Sequence, residues 1–99
     1  MKFGLEDRHW QTIEKLLLAP LKSRGAQIWI FGSRARGTHQ PFSDLDVLYS
    51  TQSPISLSEL GQIQESLVNS NLPIKVDLVS LADLAESYKG SALKDRVAI

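Results

Sequence analysis

The chain has 99 residues, 42% of them hydrophobic, and 11 basic against 11 acidic side chains give a formal net charge of zero. That is room for one domain, residues 1–99, with a thin core that buries roughly 60–65% of the unfolded surface. The composition excludes a disordered tail, and the absence of cysteine excludes a disulfide framework, a thiolate zinc site and a cysteine nucleophile.

A first helix is predicted over Asp7 to Leu18, with Trp10, Ile13, Leu16 and Leu17 on one face. Pro20 is expected to end or kink it, and Gly25 marks the following turn. Gln27 to Phe31 is apolar without alternation, as in a strand covered on both faces. Gly32-Ser33-Arg34-Ala35-Arg36-Gly37 then opens a turn, and Thr38 to Ser43 is a polar loop. Asp44 to Tyr49 is a second predicted strand. Ser56 and Glu59 have capping-box spacing ahead of a helix whose stripe is Leu57, Leu60, Ile63, Leu67 and Val68. Ile74 to Val79 is a third strand, and Asp83 to Val97 a terminal helix loosened at Gly90 and Ser91. The order predicts a small two-layer α/β (α+β) domain: a mixed sheet of three to four strands with helices mainly on one face.

The longest apolar run, Leu16 to Leu21, is broken by Pro20 and too short to span a membrane. The first residues lack a signal-peptide stretch, so the expectation is a cytoplasmic protein with no membrane partner. Residues 1–41 carry seven basic and three acidic side chains, and residues 42–99 four and eight. A chain of zero net charge is not expected to bind polymer nucleic acid directly. A small anionic ligand between a basic loop and an acidic cluster fits the asymmetry better.

The chemistry concentrates between Gly32 and Asp46. Gly32 has no Cβ, so a ligand or another backbone can approach. Ser33 offers a hydroxyl and an N–H, and a helical turn starting here would present free N–H groups to phosphate. Asp44 and Asp46 are i and i+2 on a strand and share a face, with Cα atoms about 6.5–7 Å apart. Two carboxylates so placed can converge on hard cations such as Mg²⁺. Asp77 alternates with Ile74, Val76 and Leu78 and faces away from the apolar side of its own strand. If the apolar sides of both strands pack on helices, Asp44, Asp46 and Asp77 share the other face, as a two-metal site requires. For turn and carboxylates to meet, the first two strands must be antiparallel, while the helical connection from Ser50 to Pro73 suits a parallel crossover.

Gly32-Ser33, ten residues, then Asp44-x-Asp46 resembles the nucleotidyltransferase motif of the DNA polymerase beta superfamily. The tighter form G-S-R-A-R-G…S-D-L-D-V resembles the minimal nucleotidyltransferase (MNT) proteins, antitoxins commonly encoded beside HEPN-domain toxins. The resemblance covers about Ile28 to Val79. It implies ATP as substrate, two Mg²⁺ ions, and transfer of AMP to a hydroxyl, typically a tyrosine of the HEPN partner. It implies that Gly32, Ser33 and Arg36 bind the nucleotide phosphates. Asp44, Asp46 and Asp77 are the implied metal-binding and catalytic residues, with Asp77 helping to deprotonate the acceptor.

The remaining residues carry blander expectations. Arg34 reads as a surface charge ahead of a ligand, Lys75 as a charge balancing Asp77, Ser43 as a loop buttress, His39 as a plain loop residue, and Trp10 as core. One apolar pair of the first strand, Ile28/Ile30 or Trp29/Phe31, must share the aspartates' face. It is expected under the terminal helix, near Tyr88 and Leu93, or at an interface, as a homodimer or a hetero-oligomer with the toxin would provide. The rival to catalysis is a nucleotide-binding antitoxin that neutralises its partner by binding alone. A stand-alone transferase for a small hydroxylated molecule comes third, because no second domain forms a deep acceptor pocket.

Overall fold

The structure, a computed structural model, describes residues 2–84, 90 and 93–99. Helix α1 (Asp7–Ile13) runs through a π-helical turn (Glu14–Leu18) into α2 (Ala19–Lys22). Pro20 therefore does not end the helix. Proline has no N–H to donate and its ring presses on the carbonyl four residues back. The wider π turn, closed by the Ala19 N–H on the Glu14 carbonyl, relieves that crowding.

Strands β1 (Gln27–Phe31), β2 (Leu45–Ser50), β3 (Val76–Ser80) and β4 (Val97–Ala98) form one mixed sheet in the order β3-β2-β1-β4. A five-residue helix, α3 (Gly32–Arg36), follows β1 directly. As the turn-and-carboxylate argument requires, β1 and β2 are antiparallel. The connection containing α4 (Leu57–Val68) makes β2 and β3 parallel. Half of the expected capping box forms: the Glu59 N–H donates to Ser56 Oγ at 3.1 Å. The Glu59 carboxylate pairs with Arg24 instead of reaching back.

Helices cover one sheet face. Ile13, Leu17 and Leu21 meet Ile30, Leu45 and Val47, all fully buried. On α4 the buried stripe is Ile63 and Leu67 with Leu60 partly covered, while Leu57 and Val68 stand in solvent. At 100° per residue those two lie roughly 90° or more from the stripe's centre.

The opposite face carries Phe31 across from Asp46 and Trp29 across from Leu48. Trp29 and Phe31 are thus the apolar pair expected beside the aspartates. Leu48 is completely buried yet lies outside the main core cluster, and the Arg96 guanidinium lies 5.5 Å above the Trp29 ring.

Much of the predicted terminal helix, residues 85–89, 91 and 92, lies outside the described residues. Leu81–Asp83 is a 3₁₀ turn and residues 93–95 are helical. Val97 is strand rather than helix, and with Ala98 it pairs with Ile30 and Trp29. The free edge of β1 offers backbone groups that need partners, and the Ile99 N–H also reaches the Ile28 carbonyl at 3.0 Å. Tyr88, expected to cover the apolar pair, lies outside the described residues.

Candidate functional site

The site begins where β1 leaves the sheet. Phe31 is extended (φ −135°, ψ −175°), and Gly32 then takes φ +76°. That left-handed conformation is strained for any residue with a Cβ. Gly32 is also held by space, because a Cβ there would strike the Asp46 carboxylate. The bend places Ser33 in the first turn of α3, which stops at Gly37.

The antiparallel register sets Asp46 beside Phe31, and the parallel register sets Asp77 beside Asp46. Neighbouring strands lie about 4.8 Å apart, so the Asp46 and Asp77 side chains leave one face side by side. Asp44 precedes β2 by one residue and shares the parity of Asp46. It is anchored next door, where the Leu45 N–H donates to the Lys75 carbonyl at 2.9 Å. Asp46 and Asp77 are half-buried, and Asp44 is exposed.

These charges sense one another. The Asp46 carboxyl is pushed above its ordinary pKa, first by burial, then by the negative charges of Asp77 and Asp44, with Arg36 pulling the other way. Lys75 behaves as expected: its Nζ lies 3.2 Å from Asp77 Oδ1. Arg36 reaches Asp95 Oδ2 at 3.7 Å, a contact that nothing in the local sequence foreshadows.

A divalent ion is compatible with this donor set. All the side-chain donors are carboxylate oxygens, the ligand type of hard cations. The mutual repulsion at Asp46 is what a cation relieves, and an ammonium already lies against Asp77. Among the described residues, however, no three acidic or histidine side chains are drawn together tightly enough to grip an ion as they stand. Of the charges around Asp46, that of Asp77 acts on it more strongly than that of Asp44, and Asp77 is also the one that holds the Lys75 ammonium.

Arg34 departs from its expectation as a surface charge. It is 2% exposed and is the buried charged residue of the described core. Its Nε donates to the Ser43 carbonyl at 3.0 Å, Nη1 to the Phe3 carbonyl at 2.7 Å, and Nη2 to the Pro41 carbonyl at 3.1 Å. Ser43 buttresses the same loop, its Oγ accepting the Gln40 N–H at 2.8 Å. His39 is more than a loop residue: it packs against Gly4, and its Nδ1 is buried without a partner among the described residues. Trp10 is core, 6% exposed.

Residues 20–99 match the family described as Polymerase beta, Nucleotidyltransferase. Over 62 residues the chain is 32% identical to a protein of Haemophilus influenzae assigned as the protein adenylyltransferase MntA, covering 63% of this chain and 54% of that one. This chain thus matches about half the length of that relative. Over 74 residues it is 34% identical to a protein of Methanocaldococcus jannaschii assigned as the protein adenylyltransferase MJ0126, covering 75% and 74% of the two chains. A solved structure described as a minimal nucleotidyltransferase superposes with a TM-score of 0.72 at 25% identity, over 96% of this chain and 97% of that one. A toxin–antitoxin crystallised with AMP-PNP shares the fold at a TM-score of 0.67 and 22% identity, over 86% and 70% of the two chains. The family match takes in both the Gly32-Ser33 bend and the strands bearing the aspartates: the chain belongs to the nucleotidyltransferases of the polymerase beta family.

Proposed function

We propose that this chain is a Mg²⁺-dependent adenylyltransferase that moves AMP from ATP to a hydroxyl. Its acceptor in this reading is a tyrosine of a HEPN-domain toxin, which makes the chain an antitoxin. One observation carries the reading. The Gly32 bend packs directly on Asp46, and Asp77 stands in register beside Asp46. The bend that this reading takes as the phosphate seat therefore adjoins the acidic face. The names of the adenylyltransferase relatives support the reaction. The neighbour crystallised as a toxin–antitoxin with AMP-PNP supports the setting.

In this reading Gly32 and Ser33 take the terminal phosphates, through backbone N–H groups and the Ser33 hydroxyl. Arg36 leaves Asp95 to add a charge-assisted hydrogen bond to them. Asp44, Asp46 and Asp77 hold the divalent ions, which would neutralise the triphosphate and acidify the attacking hydroxyl. Asp77 receives the acceptor's proton. The acceptor oxygen bonds to the α-phosphorus, the bond from that phosphorus to the bridging oxygen breaks, and pyrophosphate leaves.

The test is neutralisation of the co-expressed partner toxin by a double variant, Asp44→Asn with Asp46→Asn. The variant should fold and bind the partner yet fail to protect cells. Full protection by the variant would mean that binding alone neutralises the toxin, and the catalytic reading would fall.

A further inference from the structure

Arg34 is buried, and among the described residues no carboxylate lies within ion-pair distance of it. A guanidinium taken out of water needs partners for its donors, and here three backbone carbonyls give each of its three nitrogens one. Two belong to one short stretch, Pro41 and Ser43, gripped by Nη2 and Nε. The residue between them, Phe42, is turned out to solvent at 78% exposure. The next residue is Asp44. The third carbonyl comes from Phe3, 31 positions away.

The Phe3 carbonyl is presented by a tight turn closed by two hydrogen bonds between Lys2 and Leu5, at 3.2 and 2.8 Å. Phe3 and Gly4 both have positive φ, 53° and 77°. A phenylalanine in the left-handed region is strained and persists where its surroundings hold it. Gly4 leaves room for the clamp, because a side chain there would run into Arg34 and His39. The amino-terminal turn and the 41–43 loop are therefore tied through a single side chain.

We infer that Arg34 is a positioning residue for Asp44: its guanidinium fixes the backbone from Pro41 to Ser43, and through it the place from which Asp44 reaches a divalent cation. The inference rests on the transferase reading given above. Removing Arg34 leaves the carbonyls of Pro41 and Ser43 without their donors and lets Asp44 swing away from Asp46. Lysine retains the charge but not the fork that takes two carbonyls at once. The amino-terminal turn acts at the same point from a distance.

Direct Mn²⁺ titration of the purified full chain, corrected for the folded fraction of each variant, tests this without relying on turnover. Asp44→Asn first shows whether the aspartates hold the ion. Wild-type Mn²⁺ binding that is indifferent to Asp44→Asn overturns the transferase reading and this inference with it. Where Asp44→Asn weakens binding, Arg34→Met should raise the Mn²⁺ dissociation constant about tenfold, the usual cost of losing a partner that orients a ligand. Arg34→Lys should recover little of that. Gly4→Ala, which disturbs the clamp from the amino-terminal turn, should move the constant in the same direction. Folded Arg34→Met or Arg34→Lys that binds Mn²⁺ within about twofold of wild type overturns the inference alone. So does a series in which binding falls only in proportion to the unfolded fraction, because Arg34 is then an ordinary core residue.

Discussion

Gly32 lies against the Asp46 carboxylate with no room for a Cβ between them. The contact joins the bend that leaves β1 to the acid in the middle of the site, so the two are built as one unit. Its cost is a backbone that only glycine adopts without strain.

Gly32→Ala should therefore lose on two counts. A left-handed alanine costs about 1–2 kcal/mol, and its methyl must push the Asp46 side chain aside. We expect denaturant unfolding to show a stability loss of about that size. AMP transfer should fall further than the folded population does. Transfer at the wild-type rate would mean that the close approach does not matter to the reaction.

Asp46 makes stability depend on pH in a definite direction. Its folded-state pKa lies above the ordinary value of 3.8, so the folded chain holds that proton more tightly than the unfolded chain. Ionising Asp46 therefore costs stability. The loss starts as pH rises past 3.8 and is complete once pH exceeds the raised value. In metal-free buffer Asp46→Asn should flatten this fall and raise the Tm at neutral pH. Added Mg²⁺ should raise the Tm of wild type and do much less for the variant. Parallel Tm-against-pH curves for the two proteins would contradict the electrostatic account of the site.

In the proposed reading, Arg36 and Asp95 form a pair that substrate must break. The partners are 44% and 30% exposed and 3.7 Å apart, so the pair contributes about 1 kcal/mol or less. A charge-assisted hydrogen bond from Arg36 to phosphate is worth about 1.5–3 kcal/mol and wins. Arg36→Ala should raise KM for ATP by about 10-fold or more. Asp95→Asn should lower it by up to about fivefold, and less at high salt. Steady-state kinetics at two ionic strengths measures both. An Asp95→Asn variant with a raised KM would show that Asp95 orients Arg36 for the substrate instead of competing with it.

Much of the site was legible because strands alternate with period two. The parity of Asp44, Asp46 and Asp77 could be read against Leu45, Val47 and Val76 without knowing the fold. The antiparallel pairing followed from requiring the Gly32-Ser33 turn to meet the carboxylates, and the parallel one from the long helical connection between Ser50 and Pro73. Arg34 was illegible for a physical reason. One of its three acceptors lies 31 residues away, and backbone carbonyls leave no signature in a sequence. Asp95 was hidden for the same reason, since its partner is 59 positions back on another element (95 − 36). Of the two outcomes expected at Pro20, an end or a kink, the end does not occur, because the π turn ahead of it absorbs the proline. Val97 and Ala98 followed the open edge of β1 rather than the helical pattern preceding them.

The most direct test of the central claim is the fate of the ATP phosphates when the chain, its partner toxin and Mg²⁺ are combined. With label in the α-phosphate, we expect the partner to become labelled on a tyrosine with release of pyrophosphate. With label in the γ-phosphate, it should stay unlabelled. The Asp44→Asn, Asp46→Asn double variant should transfer at least about 100-fold more slowly, roughly 2.7 kcal/mol of barrier, while keeping its fold. Labelling from the γ-phosphate, or transfer undiminished in the double variant, would contradict the account.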